Sequence, residues 1–508
     1  MTDSGTILDL LNAASLSAPA IGAPGQESLS FGALSGLLAP VGETLAQAGV
    51  TPTDRVASVV PNGPLAASSF LTIAAHTAAA PLNPAYKTDE FAFYLSDLSA
   101  RALMVQKGVE TPARAVARSL EIPVIELTPD AAVAGQFTLE TEGGAGRTAT
   151  WDARAAADDV ALVLHTSGTT ARPKIVPLTH ANLMASAYNI GQTLALTAHD
   201  VCLNIMPLFH IHGLVAAVLS SLGAGGTVIC TPGLSGFRFF SWLRDTRPTW
   251  YTAVPTMHQA LLELAPRFRD SLSSSRLRFI RSSSASLPPA VMTALEATFG
   301  VPVIEAYGMT EAAHQMASNP LPPASRRAGS VGLAAGPDIT IMGEDGAILP
   351  SGCIGEVVIR GRNVMSGYAS NPTANAQAFR DGWFRTGDQG VLDEQGYLTL
   401  TGRLKEIINR AGEKIAPLEV DNVLMDHPAV QQVVTFSMPS RVFGEDVASA
   451  IVLREGMVVD EDALRAFASE RLAAFKVPRK VVFVPEIPKG ATGKLQRIGL
   501  AERLGLGE

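Results

Sequence analysis

His165-Thr-Ser-Gly-Thr-Thr-Ala-Arg-Pro-Lys-Ile-Val-Pro-Leu-Thr-His-Ala-Asn182 is the stretch on which the reading of this chain turns. It follows an apolar run, Val160-Ala-Leu-Val-Leu164, which predicts a buried parallel strand. A strand that opens into a short hydroxyl-rich loop is the layout of a phosphate cradle. Gly168 lets the backbone approach an anion. Thr166, Ser167, Thr169 and Thr170 supply short donors, and Lys174 supplies charge. The loop is not a Walker A motif, because no second glycine precedes Lys174 and no Ser or Thr follows it. In isolation such a loop reads as a polar surface turn. The strand, the lysine and the motifs that follow favour the cradle.

Upstream, helical and strand patterns alternate. Leu29 to Ala48 has helical spacing interrupted at Pro40, and Arg55 to Val60 reads as a strand. Pro64 to Ala80 reads as a buried alanine-rich helix, and Ala102 to Val105 as another strand. This alternation predicts parallel α/β layers. Glu140 to Gly146 is polar and glycine-rich and predicts a loop.

At 508 residues the chain is long enough for two to four domains with ample core. Apolar residues make up 47% and charged residues 17%, which excludes a disordered chain. A net charge of −8 with no basic stripe argues against nucleic acid. Cys202, Cys230 and Cys353 are scattered, which fits a reducing, cytoplasmic setting without structural disulfides or zinc. The N-terminus does not read as a signal peptide, and Gly-Leu-Gly-Glu508 is no peroxisomal address. Gly213 to Cys230 is uncharged, but Gly223-Ala-Gly-Gly226 breaks it into an expected buried helix, turn and strand rather than a membrane span.

Six more stretches carry chemistry. Met206-Pro-Leu-Phe-His-Ile-His-Gly213 pairs two histidines but offers no third ligand for a metal. Leu277 to Arg281 predicts a strand opening into Ser282-Ser-Ser-Ala-Ser286, either a polar pocket wall or, at Ser286, a cap for the helix after Leu287-Pro-Pro. Glu305-Ala-Tyr-Gly-Met-Thr-Glu311 is followed by His314, one turn beyond Glu311 if the segment is helical. Glu311 and His314 also spell half of a di-iron motif, which would need a second copy. Gly382-Trp-Phe-Arg-Thr-Gly-Asp388, Thr401-Gly-Arg-Leu-Lys405 and Pro488-Lys-Gly-Ala-Thr-Gly-Lys494 then follow in order.

The ordered series TSGTTxxPK, PLFHxxG, YGxTE, GWxxTGD, TGRxK and PK…GK resembles the AMP-forming acyl-adenylate superfamily, which includes acyl-CoA synthetases, firefly luciferase and adenylation domains. The likeness covers nearly the whole chain. Ala171 and Ile175 stand where the family usually has glycine, and Gly490 stands for a threonine. The resemblance implies a large N-terminal domain, residues 1–403, of doubly wound α/β subdomains plus a small β-barrel. A small mobile α+β domain, residues 404–508, is implied after it, with a hinge at Lys405; within it the residues themselves read as strands over 430–437 and 447–453 and an amphipathic helix over 461–472.

By the same likeness Glu305, Ala306 and Tyr307 bind ATP, with Tyr307 stacked on adenine. Thr310 holds phosphate, and Glu311 holds Mg²⁺, a cation suited to one carboxylate with phosphate oxygens. Asp388 grips the ribose hydroxyls, as two acceptor oxygens allow, and Arg403 contacts ribose or phosphate. Lys494 bridges the attacking carboxylate and the α-phosphate. Gly412 leaves room for CoA after the second domain rotates. His210 flanks the acyl pocket, and His212 is read as structural.

The blocks MTEAAHQMASNPLPP, HTSGTTxRPK, PLFHxHGL, WYTAVPTxHQ and LRFIRSxSASL resemble oxalate–CoA ligases of plants and fungi. They imply an acid pocket of His210, Ser284 and His314. Malonate or a short- or medium-chain acid is the alternative substrate. A module loading a carrier protein is the alternative class, weakened because no carrier domain follows residue 508. A non-catalytic nucleotide binder is disfavoured by the presence of both Glu311 and Lys494. Oligomeric state is left open.

Overall fold

The computed structural model describes residues 5–142, 150–151, 153–166, 173–490 and 493–507. Ser167, Gly168, Thr169 and Thr170 lie outside the described residues.

A ten-stranded mixed sheet forms one layer. Its centre is parallel: Val201–Asn204, Thr227–Cys230, Trp250–Ala253, Phe279–Ser282 and Val303–Met309. His314–Ser318 returns antiparallel to Val303–Met309. A seven-stranded sheet forms a second layer around Arg55–Val59, Ala78–Pro81 and Ala102–Gln106, extended by Val160–Thr166. The helix Pro64–Ala74 packs against strands of both sheets and is buried from Leu65 to Ala74. Its alanines, serines and threonines keep it thin enough to fit there. The predicted helix ends at Ala74, and Ala78–Pro81 is a strand.

Several local expectations change. Val160–Thr166 does pair in parallel with Ala78–Pro81, but its loop leads into the antiparallel strand Lys174–Thr179 before the helix His180–Thr193 begins. Leu29 lies in the strand Glu27–Ser30. The helices Phe31–Gly36 and Leu38–Gln47 then break at Leu37, with Pro40 in a first turn that tolerates it. Glu140 and Thr141 extend the strand Phe137–Thr141 instead of starting a loop. The uncharged 213–230 segment becomes a π-helix, a short helix, a turn and a strand, and no helix among the described residues is long and apolar enough to cross a membrane.

The expected small barrel is a five-stranded antiparallel sheet, a half-barrel that includes Trp383–Leu392 and Leu398–Arg403. A last five-stranded sheet holds Ile408–Arg410, Val430–Ser440, Gly444–Leu453 and Lys480–Phe483. The helices Pro417–Met425 and Glu461–Ser469 belong with this unit, the latter ending three residues short of the expected Leu472.

Candidate active site

The site forms where the parallel strands of the large sheet end and the last unit docks. Two glycines shape it by what they exclude. A Cβ on Gly308 would sit 1.8 Å from the His314 carbonyl oxygen, at the register shift between Tyr307 and Gly308. A Cβ on Gly213 would sit 2.3 Å from the Pro207 carbonyl oxygen. Only glycine lets the chain fold back this tightly beside His314 and His212.

The expected helical turn after Glu311 is a short 3₁₀ turn, Thr310–Ala312. Ala313 and His314 follow at φ 47° and 100°, and His314 opens a strand. His314 comes beside His212 through this reversal, not through an i, i+3 face. Such non-glycine backbone is strained and concentrates at functional sites. Ser284, at φ 73°, shares the feature. Ser286 does not cap the next helix, whose N-cap is Pro288.

Three histidines converge. The His212 and His314 rings lie 4.9 Å apart, and His212 bonds Ser284 Oγ at 3.0 Å through Nδ1 and Thr252 Oγ1 at 2.6 Å through Nε2. His210 Nδ1 accepts the His212 backbone N–H at 3.3 Å. Burial pushes His210 down to about 3, aided by the Lys494 charge. Burial, then Arg281, His210 and Lys494, hold His314 well below the usual histidine range. All three rings are neutral at pH 7. Both ring nitrogens of His314 lack a hydrogen-bond partner among the described residues.

The nucleotide candidates gather beside them. Asp388 takes the Tyr307 hydroxyl on Oδ2 at 2.5 Å and Arg403 Nε on Oδ1 at 3.0 Å. Glu311 Oε1 accepts the Tyr368 hydroxyl at 2.9 Å, and Lys174 Nζ lies 4.4 Å from the centre of the Tyr368 ring. Burial raises the Glu311 pKa, opposed by these hydrogen bonds and by Arg403 and Lys174. Thr166 ends its strand opposite Lys174, and Thr310 is buried at the start of the 3₁₀ turn. Ala306 offers its carbonyl to Ser283 Oγ at 2.8 Å. Glu305 accepts the Leu287 N–H at 2.9 Å, and burial pushes it up to about 8.

Lys494 enters from the last unit on a tight hairpin, closed by Gly490 N–H to Lys494 O at 2.8 Å. Thr256 Oγ1 donates to Gly493 O at 2.7 Å and docks the hairpin on the helix Pro255–Leu264. Gly493 has φ 81°, and a Cβ there would sit 3.3 Å from Val254. Burial and Arg403 lower Lys494 to about 8, against the pull of Asp388 and Glu311. Arg497, three residues on, bonds Glu406 at 3.0 Å and Asp421 at 2.9 Å, tying the hairpin to the 3₁₀ turn Leu404–Glu406 that holds Lys405.

His210, Ser284, His314, Thr310, Glu311, Asp388, Arg403 and Lys494 thus come together. Gly412 does not: it is exposed in the hairpin between Ile408–Arg410 and Glu413–Ile415, its N–H on Asn409 Oδ1 at 3.1 Å. His212, read as structural, is buried, with both ring nitrogens hydrogen-bonded to Ser284 and Thr252. Thr252, bonded to His212, and Arg281, whose charge acts on His212 and His314, also lie here, and the sequence reading does not single them out. A charge inside a predicted buried strand was the available signal for Arg281.

Among the described residues no group of three His, Cys, Asp or Glu could hold a metal ion. One carboxylate, Glu311, fits Mg²⁺ bound mainly through substrate phosphate oxygens.

The AMP-binding enzyme family profile matches residues 12–369, and the AMP-binding enzyme C-terminal domain profile matches residues 419–494. The chain is 43% identical to the oxalate–CoA ligase of Arabidopsis thaliana, over 97% of this chain and 98% of that protein. It is 41% identical to the oxalate–CoA ligase of Saccharomyces cerevisiae, over 83% and 81%. ATP-bound MatB from Rhodopseudomonas palustris superposes with a TM-score of 0.88 at 30% identity, covering 98% of this chain and 99% of that one.

Proposed function

This chain belongs to the AMP-binding enzymes and is an ATP-dependent acid–CoA ligase, and we propose that its acid is oxalate. The observation that carries the reading is the pocket of neutral buried donors, His314 above all, whose ring nitrogens have no protein partner among the described residues. Buried donors left unpaired are costly, and an anionic ligand satisfies them. Oxalate consumes one carboxylate in the reaction and keeps the second. A fatty acid offers these groups nothing. The two oxalate–CoA ligases, alike over most of the chain, support the same acid.

In the proposed mechanism Thr252 donates to His212 Nε2, and His212 Nδ1–H donates to Ser284 Oγ. That tautomer leaves the Ser284 hydrogen free for the acid. His314 gives a further N–H to the spectator carboxylate. His210, between this pocket and Lys494, flanks the reacting carboxylate. Lys494 neutralises charge as that carboxylate attacks the α-phosphorus and pyrophosphate leaves, giving acyl-AMP. Thr310, Lys174, Thr166 and the hydroxyls of Ser167, Thr169 and Thr170 hold phosphate oxygens, with Gly168 allowing close approach. Glu305 and Ala306 line the base, Tyr307 stacks on it, and Asp388 and Arg403 hold the ribose. When bound, Mg²⁺ on Glu311 screens phosphate charge. Residues 404–508 then turn about Lys405, which removes Lys494 and brings Gly412 to the CoA thiol's path. The thiol displaces AMP to give oxalyl-CoA.

The test is pyrophosphate release with oxalate, malonate, acetate and butyrate, with and without CoA. Oxalate should give the highest kcat/KM, and thioester should form only with CoA. Preference for butyrate would end the oxalate reading.

A further inference from the structure

Arg281 is fully buried at the end of the strand Phe279–Ser282. Its guanidinium makes one hydrogen bond, Nη2 to the neutral amide oxygen of Gln315 at 3.3 Å, and Nε and Nη1 have no partner among the described residues. An arginine kept for structure alone is normally paired. Arg278, three residues earlier, meets Asp200 at 2.5 Å, and Arg497 meets two carboxylates. A buried guanidinium without a carboxylate is destabilising as it stands.

Its position explains what it awaits. Arg281 is in register with Thr252 on the neighbouring strand, so the two side chains share one face of the sheet. On that face Thr252 bonds His212. Gln315 directly follows His314 and is locked by Thr193, Ala335 and Ser186. Arg281 therefore lies behind the His212–His314 pair, and its charge is felt at both rings. The pocket so built has neutral hydrogen-bond donors in front and, at the back, a positive charge that no carboxylate among the described residues meets.

We infer that the Arg281 guanidinium is the counter-charge for the second carboxylate of the acid, and that it makes the pocket selective for dianions. The inference rests on the acid–CoA ligase reading and deepens it, because the histidines position the carboxylate while Arg281 supplies the charge that permits its burial. A neutral isostere of that carboxylate would keep the hydrogen bonds and lose the charge.

The experiment compares oxalate with oxamate, in which an amide replaces one carboxylate at nearly the same size. Wild-type protein should prefer oxalate by ~100-fold or more in kcat/KM, the scale of losing a charged partner. Arg281→Met should bring that ratio to within about threefold, and Arg281→Lys should keep most of it. The unliganded Arg281→Met protein should melt no lower than wild type, since an unpaired buried charge has been removed, and it should lose the rise in Tm that oxalate gives wild type. A merely structural arginine predicts the reverse, a lower Tm with the ratio unchanged. Equal wild-type turnover of oxalate and oxamate overturns the inference without any variant, as does an Arg281→Met protein that keeps the ratio. If another dicarboxylate is the substrate, the oxalate reading fails and the same comparison with that acid's monoamide decides Arg281. A wild-type preference for monocarboxylates overturns both.

Discussion

Replacing Lys494 by alanine separates the two half-reactions. The cleft holds the Lys494 ammonium at a pKa of about 8 against an ordinary 10.5. At about 1.4 kcal/mol per tenfold, the charge is penalised by about 3 kcal/mol in the absence of phosphate. Negative charge arriving with ATP, and building on the α-phosphate, reverses that penalty. Removing the lysine should therefore leave the fold as stable as before and slow acyl-AMP formation by ~100- to 1,000-fold, the scale for one transition-state partner. Pyrophosphate release measures the first half-reaction, and conversion of supplied acyl-AMP to thioester measures the second. The second should survive, because in the proposed mechanism the Lys494 hairpin leaves its Thr256 dock before CoA enters. The pH profile carries the sign. Burial depresses the pKa of a cation, so the ammonium is present below about 8 and lost above it, and kcat/KM for adenylation should fall on the alkaline side. With ATP bound the fall should move to higher pH. Equal loss of both half-reactions in a protein with unchanged Tm would refute the reasoning.

His314→Ala should cost oxalate about 1.5–3 kcal/mol in kcat/KM while butyrate turnover holds or rises, because the lost ring nitrogens have no partner among the described residues. Equal losses on both acids would make His314 a packing residue only. Gly308→Ala forces a Cβ onto the His314 carbonyl, so oxalate activity should be lost with a Tm several degrees lower, read by thermal melting beside the activity assay. Gly412→Leu, placed in an open, exposed turn, should leave pyrophosphate release intact and cause acyl-AMP to accumulate; unchanged CoA turnover would remove Gly412 from the CoA path.

What the sequence determined by itself was the set of short-range devices and their order. A hydroxyl-rich loop behind an apolar strand, Tyr307 to Glu311, Thr386-Gly-Asp388 and Gly493-Lys494 each depend on neighbouring residues, so each is readable locally. The order of these motifs gave the family and hence the fold class. The acid pocket was only half legible, because its members meet through folding. The spacing predicts a helical His314, yet a left-handed reversal at Ala313 turns it toward His212, and Gly308 permits that reversal from five residues away. His212 looked like a neighbour of the useful histidine until strand register brought Thr252 and Ser284 to its two nitrogens. Arg281 was one charged letter in an apolar strand. Only the tertiary structure shows that no carboxylate among the described residues comes to meet it, since whether a buried charge is paired depends on what the remainder of the chain brings there, and spacing along the strand carries no information about that.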